Sequence, residues 1–442
     1  MKRNIYNKLL EWKESSDRKP LILDGARQVG KTYILRQFGE KEYRKLAFLS
    51  MDRDKKAVQV FERGGTTADM LLALSAISHV DITPGDTLLV LDEVQDCPKA
   101  LESLKYFCED APDFHVIVAG SLLGLSLHSG VSFPVGKVDE LQLLPMTFDE
   151  FLEAMGKGRL VDLLNAPNWN VVNMLTEEYT SLLRQFYYVG GMPAAVLAYV
   201  EKKGLQAVRR IQEQILKDYR RDFSKHAPER EVPRINKVWD NIPSQLAKEN
   251  KKFVYGALKK SARASEFELA IQWLIDAGLV GKVTRVNKAE APMKFYEDGN
   301  AFKLFMLDVG LMGAMVGASA EAMIVGNKIF SEYKGAFTEL YVYTQLKALG
   351  LPLFYHSVSN SSIELDFLTQ HRDAVVPIEV KAEVSVKSKS LRTFINSHPS
   401  LHALRFSMLP YEHQDGVTNI PLYACSSVEK VIDEILRMGG EG

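Results

Sequence analysis

The 442-residue sequence predicts an α/β protein that begins with a doubly wound parallel sheet. Apolar runs that are typical of buried parallel strands recur at 20–25, 45–52, 87–92 and 115–121. Helical patterns separate these runs, as they do in strand–helix–strand units. Polar residues or glycines follow several of the runs, at the edge where ligands bind in open sheets. The chain is too long for a single hydrophobic core, so two or three domains are expected.

The first run, PLILDG, leads directly into GARQVGKT at 25–32, which has the G-x-x-x-x-G-K-[ST] spacing of a phosphate-binding loop. A helix expected at 31–40 would present its N-terminal N–H groups and the positive end of its dipole to phosphate. Lys31 is expected to reach the β- and γ-phosphates, and the Thr32 hydroxyl to hold Mg²⁺. A chance glycine turn is the alternative, but the flanking strand and helix favour a nucleotide site. The residues expected to contact the nucleotide are Gly25, Ala26, Arg27, Gln28, Val29, Gly30, Lys31, Thr32 and Tyr33.

The apolar part of TLLVLDEVQD, at 87–96, is followed by Asp92 and Glu93. Asp92 is expected to complete the Mg²⁺ shell, and Glu93 to orient or deprotonate the attacking water. Such a run is a weak signal alone and a strong one in a chain that has a phosphate-binding loop. The next run, HVIVAGS, ends in Ser121, which is expected either to contact the γ-phosphate or to cap a helix.

Five segments together resemble a known family: RKPLILDGARQVGKT, LDEVQD, VAGSLLGL, LLPMTFDEFLEA and YYVGGMPAAV. They are similar to bacterial AAA-type ATPases that carry an AAA core and a conserved C-terminal domain of uncharacterised function. The resemblance implies a P-loop ATPase of the AAA/STAND group, with ATP and Mg²⁺ as cofactors. In that group a Gly-x-Pro motif of the lid helices contacts the nucleotide, and Gly191-Met192-Pro193 matches it. A helix break at the same residues is the alternative.

One position departs from the family pattern. Relatives tend to show Gly-Arg shortly before the L-x-P-[LM]-[ST]-F segment, whereas this chain has Gly136-Lys137. If that position supplies an arginine finger, Lys137 is a poor substitute because it lacks the planar guanidinium. Arg184, Arg220 and Arg221 are the other candidates for a finger or sensor. AAA cores often form rings with the finger supplied by a neighbour, so a homo-oligomer is one expectation.

The composition is that of an ordinary soluble globular protein, with 46% apolar and 25% charged residues. Three cysteines without C-x-x-C spacing indicate a reducing cytoplasm and argue against a disulfide scaffold. The first residues, MKRNIYNKLLEWKE, are typical of an amphipathic helix rather than of a signal peptide. Polar and charged residues interrupt the apolar stretches near 115–131 and 304–326, so neither a transmembrane helix nor a membrane partner is expected.

The middle of the chain is basic, because residues 201–300 carry 21 Lys and Arg against 14 Asp and Glu. From 234 onward the pattern predicts three helices, the second at 254–262, and then a hairpin; this is the order of a winged helix-turn-helix. DNA binding is the obvious role, but Glu266, Glu268 and Asp276 on the third helix would repel phosphates. A packing or interdomain role is therefore favoured, and phosphate contact from the basic residues of 251–263 is the alternative.

Acidic residues and a lysine converge in the last part of the chain. Side chains two residues apart in a strand share a face, so two neighbouring strands can bring such groups to one spot. Two carboxylates can bind Mg²⁺, and a lysine can polarise a water near a scissile phosphate. The residues are Glu339 in a predicted helix at 333–350, Glu364 and Asp366 in a strand at 361–370, and Glu379 and Lys381 in a strand at 375–383.

This arrangement resembles the PD-(D/E)XK nuclease core. The resemblance implies Glu339, Asp366, Glu379 and Lys381 as catalytic residues, with Asp366 and Glu379 as ligands of a metal ion. Leu365 stands where some members of that superfamily have proline. A salt-bridge cluster formed by the same residues is the alternative, and the sequence does not choose between them. The segment KSKSLRTF at 387–394 could supply local phosphate contacts.

Two hypotheses for function follow. In the first, ATP hydrolysis is coupled to DNA binding or cleavage by the nuclease-like part. In the second, the chain is a nucleotide switch of the STAND kind, whose C-terminal part is an inactive module that binds protein or DNA. The expected domains are an AAA-type core at 1–160, a helical lid and linker at 161–232, a winged helix-turn-helix at 233–330, and a restriction-endonuclease-like α/β domain at 331–442.

Overall fold

The computed structural model describes residues 1–121, 123–126, 133–248, 251–326, 334–357, 364–382 and 389–439. By packing, the chain divides into two compact units. The first unit consists of Met1–Leu144 and Gln272–Leu279, and the second of Pro145–Ile271 and Val280–Gly442. The four expected domains do not coincide with these units, and their boundaries remain predictions. Within the described part of the chain, no helix is long and apolar enough to cross a membrane.

The first unit contains a parallel sheet of five strands in the order β2-β3-β4-β1-β5. Every residue of β3 and β4 is buried, as expected for parallel strands with both faces covered. The four predicted strands are confirmed. The fifth, β5, was missed because its sequence, DELQ, has a single apolar residue. The strands are β1 (Leu21–Asp24), β2 (Lys45–Ser50), β3 (Thr87–Asp92), β4 (His115–Ala119) and β5 (Asp139–Gln142).

Helices pack around this sheet and complete its core. The predicted amphipathic helix at the start of the chain is present and buries Leu9 and Trp12. One hydrophobic cluster joins the strands to the helices, with Leu91 contributed by β3 and Phe61 by α3. The helices are α1 (Ile5–Glu14), α2 (Lys31–Glu42), α3 (Lys55–Arg63), α4 (Thr67–Ser78), α5 (Pro98–Asp110) and α6 (Leu123–Ser126).

The second unit combines helices with a larger sheet. Its first helix, α7, begins with a capping box in which Thr147 and Glu150 satisfy each other's backbone N–H groups. Helix α14 extends beyond residue 271, so its last turn belongs to the first unit. The helices are α7 (Phe148–Ala154), α8 (Gly158–Asn165), α9 (Trp169–Met174), α10 (Thr176–Val189), α11 (Pro193–Val200), α12 (Leu205–His226), α13 (Val232–Leu246), α14 (Ala264–Asp276), α15 (Val309–Met315), α16 (Lys334–Ala348), α17 (Lys389–Ser397) and α18 (Val428–Gly439).

The sheet of the second unit has eight strands in the order β12-β13-β11-β10-β9-β8-β6-β7. Strand β6 pairs with β7 as the predicted hairpin and also pairs in parallel with β8. The hairpin of the expected winged helix therefore belongs to the same sheet as the strands of the nuclease-like part. The strands are β6 (Val280–Val286), β7 (Glu297–Met306), β8 (Leu353–Ser357), β9 (Glu364–His371), β10 (Ala374–Val380), β11 (Ala403–Ser407), β12 (Glu412–Gln414) and β13 (Val417–Pro421).

The prediction of a helix at 254–262 is wrong. The structure has only a single turn of 3₁₀-helix there, at Tyr255–Ala257. Gly256 disfavours a helix, and Ser261 adopts a left-handed conformation with φ of 69°. Helices α13 and α14 and the hairpin are present, so two of the three expected helices of the winged helix are found.

Candidate nucleotide-binding site

The phosphate-binding loop connects β1 to α2, as the motif predicts. Gly30 caps α2 in a left-handed conformation with φ of 99°, and Gln28 has φ of 68°. A side chain at Gly25 would lie 2.3 Å from the Leu143 carbonyl oxygen, so only glycine fits there. The chain therefore reverses tightly between strand and helix, and the N-terminus of α2 faces the loop.

The lysine of the motif is held inside the loop. Lys31 is buried, and its Nζ donates to the carbonyl oxygens of Gly25 at 2.6 Å and of Ala26 at 3.0 Å. Burial lowers the pKa of Lys31 to about 8, although the nearby carboxylates of Glu93, Asp24 and Asp92 act in the opposite direction. A phosphate group would offer this ammonium a charged partner in place of two neutral carbonyls.

Thr32 and Asp92 supply the oxygen atoms of a cation site. The Thr32 hydroxyl donates to Asp92 Oδ2 at 2.7 Å. Asp92 is buried, and this burial raises its pKa, while the hydrogen bond from Thr32 acts to lower it. A hydroxyl and a carboxylate beside a phosphate loop are the protein ligands that Mg²⁺ takes in such sites. The residues present therefore fit the metal ion that the sequence implies.

Glu93 is held by two polar side chains. Its Oε2 atom accepts hydrogen bonds from Gln95 Nε2 at 2.6 Å and from the Ser121 hydroxyl at 3.4 Å. Its backbone is left-handed, with φ of 53°, and its N–H donates to Asp92 Oδ1 at 3.0 Å. Because β4 lies between β1 and β3, Ser121 at the end of β4 lies between the phosphate loop and the carboxylates.

Sequence reasoning missed two residues near this site. Gln95 orients Glu93, and the only signal for it was its place in the segment LDEVQD. Arg3 donates to the carbonyl oxygen of Val29 in the phosphate loop, and no motif marks it. Tyr33 lies at the start of α2 with 52% of its surface exposed, and its hydroxyl accepts a hydrogen bond from the amino terminus at 3.1 Å.

The Gly-x-Pro motif belongs to the second unit and contacts other parts of that unit. The Gly191 N–H donates to Asp308 Oδ2 at 2.5 Å, and its carbonyl accepts from the Met146 N–H at 2.7 Å. A side chain at Gly191 would lie 2.1 Å from the Met146 carbonyl oxygen. Pro193 is the first residue of α11, as in the helix-break alternative. Contact of this motif with a nucleotide remains a prediction.

The candidates for an arginine finger lie in both units. In the first unit, Lys137 pairs with Glu109 at 2.8 Å. In the second unit, Arg220 pairs with Asp240 at 2.6 Å and Arg221 with Asp218 at 3.0 Å, and all three of these cations are at least partly exposed. Arg184 lies in α10 and is half-buried. Ion pairs with this much exposure contribute little to stability, so these three cations can exchange partners. All four residues remain candidates.

The second unit brings the predicted acidic residues of the nuclease-like part together, but with lysines among them. Lys303 on β7 is completely buried and lies 3.1 Å from both Glu339 Oε1 and Glu364 Oε1. Lys251 pairs with Glu339 and lies 3.5 Å from Asp366 Oδ1. These five residues are called the lysine–carboxylate cluster below. Neither lysine was predicted to take part.

The E-x-K residues lie beside this cluster. Lys381 Nζ lies 2.5 Å from Glu379 Oε1, and the Val380 N–H donates to Asp366 Oδ2 at 2.8 Å. Burial acts to raise the pKa of Asp366, but Lys251, Lys303 and the Val380 N–H together hold it below its ordinary value.

The contacts of these carboxylates do not fit the metal ion that the nuclease resemblance implies. Among the residues that the structure describes, no three His, Cys, Asp or Glu side chains are grouped to hold a metal. Glu339, Asp366 and Glu379 are each already paired with an ammonium group. The geometry therefore favours the salt-bridge alternative. Part of the segment predicted to contact phosphate, 387 and 388, lies outside the described residues.

Family models match three parts of the chain. Residues 17–152 match an AAA domain, residues 180–322 a domain of unknown function (DUF8612), and residues 334–425 a second domain of unknown function (DUF4143). No curated protein gives a match. The first match agrees with the parallel sheet and the loop geometry, and residues 17–152 form an AAA-type P-loop domain.

Several solved structures are distantly similar. A Walker-type ATPase of Pyrococcus abyssi is 15% identical, with 71% of this chain and 95% of that chain covered and a TM-score of 0.45. A STAND protein with a tetratricopeptide repeat sensor from Pyrococcus horikoshii is 13% identical, with 79% of this chain and 45% of that chain covered and a TM-score of 0.28. Cdc6p from Pyrobaculum aerophilum is 14% identical, with 73% of this chain and 96% of that chain covered and a TM-score of 0.25.

Proposed function

We propose that this chain binds ATP with Mg²⁺ at its P-loop and hydrolyses it, and that it acts as a nucleotide switch with a non-cleaving C-terminal part. The observation that carries the first half is the contact between Thr32 and Asp92 at 2.7 Å. It brings a strand-end carboxylate to the hydroxyl of the phosphate loop. Glu93 lies next to this pair and is oriented by Gln95.

Each residue has a distinct role in the proposed reaction. Lys31 would move from the loop carbonyls to the phosphates and neutralise their charge. Thr32 and Asp92 would hold Mg²⁺, which would neutralise negative charge that develops on the phosphates. Glu93 would orient or deprotonate the attacking water, because its carboxylate is partly exposed and is held by donors rather than by a cation. Ser121 would contact the terminal phosphate, and its hydrogen bond to Glu93 supports this role.

The lysine–carboxylate cluster supports the second half of the proposal. Binding a divalent cation there would require Lys251 or Lys303 to leave its carboxylates. Breaking a buried ion pair by removing one partner costs roughly 3–5 kcal/mol. Lys303 has no exposed surface and hence no solvent to move into without unfolding its surroundings. These contacts favour the switch hypothesis over coupling of ATP to DNA cleavage.

Two variants of the P-loop site test the ATPase half. Lys31→Ala is expected to abolish nucleotide binding or turnover, and Glu93→Gln to keep ATP bound while slowing hydrolysis by about a hundredfold or more. The switch half is tested by limited proteolysis of Glu93→Gln with ATP, with ADP and without nucleotide. A cleavage pattern that changes with ATP supports a switch, and the same pattern in all three states counts against it.

The nuclease hypothesis has its own test. Plasmid and linear DNA are incubated with the wild-type chain and with Lys381→Ala, in Mg²⁺ or Mn²⁺, with and without ATP. We expect no cutting by either protein. Metal-dependent cutting that Lys381→Ala abolishes would restore the coupling of ATP to DNA cleavage. If the chain binds DNA without cutting it, or binds a protein partner, that molecule is the ligand of the C-terminal part.

Sedimentation of the wild-type chain with ATP tests whether it forms the expected homo-oligomer.

A further inference from the structure

We propose that Arg3 is a positioning residue that holds one peptide group of the phosphate loop in the orientation that binds nucleotide. The inference rests on the proposed function, since it concerns how the same loop binds phosphate. Arg3 precedes α1, and only 7% of its surface is exposed. A buried arginine needs acceptors for its N–H groups, and the phosphate loop provides one of them.

The guanidinium of Arg3 joins two carbonyls that are far apart in the sequence. Its Nη1 donates to the Val29 oxygen at 2.9 Å, and its Nη2 donates to the Leu144 oxygen at 2.5 Å. Val29 lies in the middle of the phosphate loop and is fully buried, and Leu144 follows β5. Because the donor is charged, these hydrogen bonds are stronger than those between neutral groups. Arg3 thus ties the loop to the chain beyond the neighbouring strand.

The bond to Val29 fixes the direction of the next N–H group. The carbonyl and the N–H of a trans peptide point to opposite sides, so holding the Val29 oxygen turns the Gly30 N–H away from Arg3. N–H groups of such a loop are the ligands of the phosphates. Glycine can adopt many backbone conformations, and Gly30 with φ of 99° would let this peptide rotate if nothing held it.

The position of Arg3 is itself fixed by the packing of the N-terminal segment. Ile5 and Leu9 of α1 are buried, and the amino group of Met1 donates to the Tyr33 hydroxyl at 3.1 Å. The segment therefore contacts the loop at Val29 and the first turn of α2 at Tyr33. These contacts hold Arg3 in a fixed position next to the phosphate loop.

The test compares Arg3→Met and Arg3→Lys with the wild-type chain. Dissociation constants for ATP and ADP are measured by titration calorimetry, together with kcat and KM for ATP hydrolysis. Arg3→Met is expected to weaken both nucleotides by about tenfold or more, with kcat at saturating ATP within about threefold of wild type. The dissociation constants of Arg3→Lys are expected to lie between those of the wild type and Arg3→Met, because one ammonium group cannot donate to both carbonyls as the guanidinium does.

Arg18→Met is the matched control. Arg18 also donates to backbone carbonyls, including that of Lys13 at 3.1 Å, but to none in the phosphate loop. Its replacement is expected to leave the dissociation constants unchanged. A merely structural role for Arg3 would lower the melting temperature and leave the affinity of the folded protein as it was.

The outcomes separate this inference from the proposed function. Wild-type affinity for ATP and ADP in folded Arg3→Met overturns the inference and leaves the ATPase proposal intact. If Arg3→Met does not fold, Arg3→Lys decides: weaker binding supports the inference, and wild-type binding overturns it. Failure of the wild-type chain to bind ATP would instead refute the proposed function.

Discussion

Lys303→Met is the substitution that tests the lysine–carboxylate cluster most strongly. Methionine keeps most of the volume of the lysine stem, so the change removes mainly the charge and two contacts of 3.1 Å, to Glu339 and Glu364. Glu339 stays buried with Lys251 as its remaining cation. Breaking a buried pair costs roughly 3–5 kcal/mol, and the second lysine places the expected loss at the lower end, about 3 kcal/mol.

Hydrogen exchange is the suitable assay, because a chain with two compact units will not unfold in one transition. Peptides that cover β7 and β9 are expected to exchange roughly a hundredfold faster in the variant, the equivalent of about 3 kcal/mol. Lys157→Met is the control, since the pair of Lys157 with Glu178 is exposed and contributes about 1 kcal/mol or less. The double variant Lys303→Met, Glu339→Gln is expected to regain part of the stability that Lys303→Met loses, so its β7 and β9 peptides should exchange more slowly than those of Lys303→Met.

Two results would refute this reasoning. Unchanged exchange in Lys303→Met would mean that the pairing has no structural role. Protection of the β9 peptides by Mg²⁺ or Mn²⁺ in the wild-type chain, lost in Asp366→Asn, would mean that the carboxylates form a metal site after all.

Two further predictions concern the loop and a buried acid. A side chain at Gly278 would lie 3.2 Å from the Ala26 nitrogen, so Gly278→Ala is expected to raise the KM for ATP several-fold. Gly350→Ala is the control: Gly350 has φ of 81° and open space around it, so the substitution causes similar backbone strain and is expected to leave KM unchanged. Equal KM values for the two variants would contradict a role of the Gly278–Ala26 contact in nucleotide binding. Burial raises the pKa of Asp308 to about 6, so its contribution to stability is largest below about pH 4 and is lost as the pH rises to about 6. Asp308→Asn removes this contribution, so the free energy of unfolding of the variant relative to wild type is expected to rise across that window by up to about 3 kcal/mol. Thermal melting of both proteins at each pH measures it, and a constant difference would rule it out.

The P-loop site was predictable from the sequence because its geometry is local. A strand, a fixed glycine spacing and a helix determine where Lys31 and Thr32 lie. The carboxylates at the end of a buried strand follow from the same logic, since parallel strands present their carboxyl ends at one edge. The contact of Ser121 with Glu93 depends on the strand order, which the sequence does not state.

The cations of the lysine–carboxylate cluster were not predictable in this way. Lys251 and Lys303 reach Glu339 only through the folding of the second unit, and their sequence neighbours give no sign of it. Strand alternation correctly placed Glu364 and Asp366 near one another. Periodicity could not tell whether a metal ion or a lysine would neutralise them, because both satisfy the same charge.

The central claim is tested most directly by ATP turnover and nucleotide retention in Glu93→Gln. The account predicts that the wild-type chain converts ATP to ADP with Mg²⁺, and that Glu93→Gln retains bound ATP with turnover reduced by about a hundredfold or more. Asp96→Asn, which changes an exposed carboxylate of the same segment, is expected to retain wild-type turnover. Equal turnover by the wild type and Glu93→Gln would contradict the account.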